Sequence, residues 1–195
     1  MAIQDVRFCW KQTVLPLCFV LLVPFAACGG ESDDPDEPAS GADLSAVVVE
    51  RIGPYEHVLG DIAYDDPMPS GGDHAPPPYW LTCGVYEGEV PRELAVHSLE
   101  HGAVWIGLGP DATDDDRAAA THLADGQKVI VSDVPGLEAP VELVSWGRRL
   151  SLESADDPRA AMFIEAFVDS DDAPEPGASC DSLGDPPVPP ELPTG

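Results

Sequence analysis

Between Gly102 and Gly109 lies the stretch Ala103-Val104-Trp105-Ile106-Gly107-Leu108, which carries no charged side chain. An apolar run this short must be buried, and it suits a central strand better than a helix. Gly109-Pro110 ends it. Directly before it stands His97-Ser98-Leu99-Glu100-His101, two imidazoles and a carboxylate fixed to a buried wall. Residues i and i+4 share a face in a helix and one side of a strand, so either backbone converges His97 and His101. Only a helix also brings in Glu100. Pro91 followed by Arg92-Glu93-Leu94-Ala95-Val96 reads as a helix start and Gly102 as its stop, so the motif is expected on a helix of about three turns.

The rest of the chain alternates helix and strand patterns. Ala46 to Val49 reads as a short strand or an amphipathic lead-in, and Gly60-Asp61 as a turn. From Pro67 to Trp80 prolines and glycines forbid regular structure, yet Met68, Tyr79 and Trp80 are too apolar to stay in water. An ordered loop packed on the domain is expected there. It carries His74 beside Gly71-Gly72, where the backbone can approach a ligand closely. Leu81 to Tyr86 reads as a short strand or turn. Ala112 to Ala124 predicts a helix whose Asp114-Asp115-Asp116 sit at the positive dipole end. Gln127 to Ser132, Val141 to Trp146 and Arg148 to Leu152 read as strands. Asp156-Asp157-Pro158 opens a last helix, Arg159 to Phe167, with Met162, Phe163 and Ala166 as its apolar face. The sum is a single small α+β domain, a mixed or antiparallel sheet with two or three helices and a long ordered Pro/Gly-rich loop.

The amino end places Arg7 and Lys11 before the apolar run Val14 to Val23, then Ala26-Ala27-Cys28. That order is a secretory signal, too short to span a bilayer comfortably. The cysteine after the small residues resembles the bacterial lipobox, in which Cys28 is lipidated and becomes the first residue. The expected organisation is a lipoprotein signal over 1–27, an acidic disordered tether over 28–43, a globular domain over 44–180 and a proline-rich disordered tail over 181–195. The expected location is the cell envelope, on its periplasmic or extracellular face, with the membrane reached through the lipid on Cys28.

The chain has a net charge of −27; removing Asp5, Arg7 and Lys11 with the signal leaves 7 Lys+Arg against 35 Asp+Glu, a net −28. Such a field repels nucleic acid and anionic headgroups and concentrates cations at the surface. Nucleic acid is excluded as a partner. Arg148-Arg149 are expected in internal ion pairs. Two cysteines, Cys83 and Cys180, remain in the exported part. In an oxidising compartment a disulfide is the first expectation, with Cys83 as a soft metal ligand its rival.

His-x-x-Glu-His matches the inverted zinc-protease signature, but that chemistry needs a long helix and a further distant ligand, whereas a glycine and a strand follow here at once. A different resemblance covers about His57 to Cys180. Gly71-Gly72-Asp73-His74, Cys83-Gly84-Val85-Tyr86, Ala95 to Trp105, Pro135-Gly136-Leu137, Trp146-Gly147-Arg148 and Pro174-Glu175-Pro176-Gly177 to Cys180 together resemble the bacterial family called domain of unknown function 3105. The resemblance implies an exported or membrane-anchored protein with no assigned activity. It also implies that His57, His74, His97, Glu100 and His101 are family positions and that Cys83 and Cys180 occur as a pair. The chain departs from the family pattern in the proline-rich loop after His74 and at Leu108.

These residues define the expected site. His97 and His101, joined by His74 and His57, are candidate ligands for Zn or Cu, with Glu100 as a further ligand or as an acceptor orienting an imidazole. Two alternatives stand beside a metal-binding lipoprotein. One is a structural or interaction module of the envelope, with structural histidines and a protein partner; the other is a small metallohydrolase. His122 is expected on a helix surface, and Trp80, Trp105 and Trp146 in the core.

Overall fold

A computed structural model describes residues 43–182. The expected signal peptide with Cys28, the tether up to residue 42 and the tail from residue 183 lie outside the described residues. Among the described residues no helix is long and apolar enough to cross a membrane.

The elements run β1 (Val48–Val49), β2 (Gly84–Val85), α1 (Arg92–Glu100), β3 (Val104–Leu108), α2 (Asp114–Ala124), β4 (Val129–Asp133), β5 (Val141–Ser145), β6 (Arg148–Leu152) and α3 (Pro158–Phe167). The strands form one mixed sheet of six in the order β1-β6-β5-β3-β4-β2. β3, β4 and β2 are parallel, while β5, β6 and β1 continue antiparallel from the other side of β3. This is an α+β domain. Parallel neighbours cannot be joined by a tight turn, and α2 supplies the crossover between β3 and β4.

Every residue of β3 is buried. Val104, Ile106 and Leu108 join one apolar cluster with Ala120 of α2 and Phe163 of α3, whereas Trp105 joins a second with Leu94, Ala95 and Leu99 of α1. The period-two alternation of a strand therefore separates a two-helix layer from a layer made of α1 and the loops before it. The loop 67–80 is ordered, and Met68, Ser70, His74 and Ala75 are buried within it.

Local chemistry sets the helix limits. Thr113 and Asp116 form a reciprocal capping box on α2, so this helix starts after Thr113 rather than at Ala112. Asp157 caps α3, whose first residue is Pro158. The buried face of α3 is Ala160, Phe163 and Ile164, not the expected Met162, Phe163 and Ala166. Residues 160, 163, 164 and 167 make the i, i+3, i+4, i+7 stripe, which turns Met162 partly and Ala166 fully toward solvent. Gly102 ends α1 at φ +92°, and a Cβ there would stand 2.9 Å from the Asp169 Cα.

The two arginines of β6 are paired internally. Arg149 contacts Glu50, Asp66 and Glu142, and Arg148 contacts Asp172. Trp105 and Trp146 are core residues; Trp80 is only partly buried and belongs to the wall of the site below.

Candidate metal centre

α1 is a buried helix, with Glu93 through Glu100 all inaccessible. Its apolar residues face β3, and the i, i+3 pair His97 and Glu100 projects toward the loop layer, so the motif is helical as expected. Main-chain bonds bring the loop histidines to it. The His74 amide bonds the Glu56 carbonyl at 3.2 Å and the Val58 amide bonds the His74 carbonyl at 2.8 Å, a single parallel bridge pairing His57 with His74. The Ala75 amide then reaches the Glu93 carbonyl on α1 at 3.2 Å. Imidazole rings consequently pack at 4.7 Å for His57 and His74 and 5.0 Å for His74 and His97.

The ring nitrogens are sorted by their partners. A carbonyl oxygen only accepts, so the Nδ1–H of His74 donates to Gly72 at 2.8 Å and that of His97 to Tyr79 at 2.9 Å. Gly72 holds φ +107°, a conformation that presents its carbonyl to His74 and that a side chain would strain. With Nδ1 of His74 and His97 engaged by carbonyls, Nε2 is the nitrogen left to face the site. The Nε2 atoms of His74, His57 and His97 lie 3.0, 3.5 and 3.7 Å from a single atom, Glu100 Oε2. A proton on His74 Nε2 serves its own contact with that oxygen, whereas a metal ion would serve all three.

The spacing fits a metal. Ligands about 2.0–2.1 Å from a tetrahedral ion stand roughly 3.3 Å apart, and the donor atoms of His57, His74, His97 and Glu100 all fall within 4.8 Å of one another. Three of the four are buried, and His57 keeps the site open to solvent at 39 % side-chain exposure. Charge states suit the same role. Burial, together with repulsion from His101 and His74, drives His97 down to about 4, which keeps it an unprotonated donor near neutrality. Burial alone would raise Glu100, but hydrogen bonds from His74 and Tyr55 and the surrounding imidazoles hold it down at about 2. Burial and the facing Glu100 push the Tyr55 hydroxyl up to about 12, so it stays a donor.

His101, expected in the same cluster, is not brought into that group of four. Its Nδ1–H donates to the Ser179 carbonyl at 2.9 Å, and its Nε2 stands 3.7 Å from Glu175 Oε2. Trp80 stacks against both His101 and His97, with ring centroids 4.8 and 5.3 Å apart, and its indole N–H bonds the Asp181 carbonyl at 2.9 Å. Cys83 is joined to Cys180 in a disulfide, with Cα atoms 5.5 Å apart, and is not a soft ligand beside the histidines. The bond pins the segment that carries Glu175 and Ser179 over the end of α1. A disulfide is compatible with an oxidising, exported location. His122 lies exposed on α2, as expected.

Tyr55, Trp80 and Glu175 were not among the expected site residues. Glu175 carried a signal in the family segment Pro174 to Cys180; Tyr55 carried none beyond lying near His57.

Comparison with protein families returns one model, described as Protein of unknown function (DUF3105), matching residues 57–182. The chain belongs to this family. The matched span runs from the exposed His57 to the last described residue and includes the disulfide, α1 and every strand but β1. No curated protein matches. No solved structure matches.

Proposed function

We propose that this protein is a cell-envelope lipoprotein that holds a divalent transition-metal ion, Zn²⁺ or Cu²⁺, through His57, His74, His97 and Glu100. The observation that carries the reading is the convergence of three Nε2 atoms on Glu100 Oε2 while two of the rings have their Nδ1–H anchored to backbone carbonyls. Metal-ligating histidines donate their other N–H in this way, which fixes tautomer and ring orientation before an ion arrives. Three imidazoles and one carboxylate suit Zn²⁺ by coordination number and Cu²⁺ by affinity order. Glu100, hydrogen-bonded to His74 at 3.0 Å, sits within ligand reach, which favours ligation over a role as a distant acceptor. When bound, the ion supplies a Lewis-acidic charge; the protein's part is to hold the donors and to leave an approach beside His57.

The anchoring half of the proposal rests on the signal and Cys28, and the disulfide is in keeping with it. Export would deliver the acidic domain to a compartment where its own field gathers cations.

The test is a metal titration of the metal-stripped full chain followed by thermal melting. Zn²⁺ or Cu²⁺ is expected to raise the melting temperature of the wild type and to leave His74→Ala unmoved, because an ion that binds only the folded state stabilises it by mass action. An unchanged wild-type melting point with either ion would sink the proposal.

A further inference from the structure

Glu175 and His101 form a group that the four-ligand site does not use. The donor atoms of Glu100, His101 and Glu175 all lie within 4.8 Å of one another. His101 is 5 % exposed, and with its Nδ1–H given to Ser179 its Nε2 faces the Glu175 carboxylate at 3.7 Å. The backbone of Glu175 is built into the site, for its amide donates to the Glu100 carbonyl at 3.0 Å. Two further ties hold the same segment. The Gly177 amide donates to Asp169 Oδ1 at 2.9 Å, and Cys180 is bonded to Cys83.

From this arrangement we infer a dinuclear centre, in which a second divalent transition-metal ion is held by His101, Glu175 and Glu100, the Glu100 carboxylate bridging the two ions. The inference rests on the four-ligand site proposed above. Glu100 belongs to both groups of donors. Its Oε2 faces the three imidazoles, and a donor oxygen of the same carboxylate lies within 4.8 Å of those of His101 and Glu175. The rings of His97 and His101 pack edge to face with centroids 4.7 Å apart, so the two donor sets adjoin, as the arrangement of a two-metal site with ions about 3.5–4 Å apart requires. The two sets differ in kind. The first is rich in nitrogen and mostly buried; the second has one imidazole and two carboxylates, and its Glu175 side chain is 59 % exposed. The second ion therefore keeps positions for water and binds more weakly. Repulsion between two dications is offset by two anionic ligands within a strongly acidic chain.

The experiment is calorimetric titration of the metal-stripped full chain with Zn²⁺, with excess Mg²⁺ and high salt present to suppress binding to surface acids. The wild type is expected to take two equivalents, and Glu175→Gln one. Loading with Cu²⁺ gives an independent readout: carboxylate-bridged coppers couple their spins, so the electron-spin signal per copper is depressed in the wild type and restored in Glu175→Gln. Because the Glu175 side chain is largely exposed, the metal-free variant is expected to melt with the wild type, which separates lost binding from lost folding. A single equivalent in the wild type overturns the dinuclear centre and leaves the four-ligand site standing. Two equivalents undiminished in Glu175→Gln put the second ion elsewhere and also overturn it, and no binding at all overturns both.

Discussion

The two faces of the sheet each bury an apolar cluster but differ in what is buried beside it. On one, Val104, Ile106 and Leu108 of β3 meet Ala120, Phe163 and Ile164 of α2 and α3 in an apolar cluster of regular elements. On the other, α1 and irregular loop bury His74, His97, Glu100 and His101 at 5 % exposure or less. Burying four polar side chains costs free energy that each hydrogen bond only partly offsets. Both faces gain stability from an apolar cluster, and the second gives part of it up to hold a buried polar group in fixed geometry. The strand between them is shared, so packing on one side holds the donors of the other in register.

The difference can be broken from either side. The largest effect on folding is expected from Phe163→Ala, a fully buried ring on the apolar face, at about 3–5 kcal/mol in chemical denaturation. Metal content per folded molecule is expected to stay at the wild-type level. A parallel loss of metal would show that the faces are not separable. Glu100→Gln reverses the pattern. It is expected to abolish tight metal binding while lowering the stability of the metal-free protein by about 1–3 kcal/mol, since a charged acceptor of buried donors is replaced by an amide.

Acid should act first on the polar face, before it reaches the capping carboxylates of α2 and α3. His97 is held down to about 4 in the folded protein against an ordinary 6.5, so the unfolded chain binds the proton more readily. Its contribution is complete above about pH 6.5 and is lost as pH falls toward 4, to a total of roughly 3 kcal/mol. Glu100, at about 2 against 4.5, adds a second loss as pH falls from 4.5 toward 2. Metal-free protein is expected to lose stability through both windows in succession, and His97→Gln to remove the first. A His97→Gln profile identical to the wild type above pH 4.5 would contradict this. The smallest effect belongs to Met162→Ala on the outer side of α3. It is expected to change stability by no more than about 1 kcal/mol, less than Ile164→Ala on the buried stripe, at about 2–5 kcal/mol.

The same contrast explains what could be read from the sequence. Regular elements were legible because periodicity and punctuation are local. Ala103 to Leu108 between glycines announced β3, and Pro91 and Gly102 bracketed α1. Met162 and Ala166 were misplaced because a short helix rich in small and apolar residues permits more than one stripe, and only packing against β5 selects Ala160, Phe163 and Ile164. On the polar face, His97 was legible from its i, i+4 spacing to His101, and Glu100 because only a helix brings it to the same side. His74 was legible as a glycine-flanked loop histidine, but its meeting with His57 was not, since that depends on a one-residue bridge between two loops, and only the family resemblance pointed to His57. Glu175 was hidden among 36 acidic residues. Trp80, expected in the core, instead leans on two histidines, because proline-rich backbone presents a side chain with no periodicity to read.

A polar face assembled around a metal should retain that metal through purification. Elemental analysis of the full chain, purified from its native host and washed in high salt, tests this. Zn or Cu in at least stoichiometric amount is expected in the wild type, with its loss in folded Glu100→Gln and His74→Ala. Wild-type protein free of transition metal, or metal retained undiminished in both variants, would contradict it.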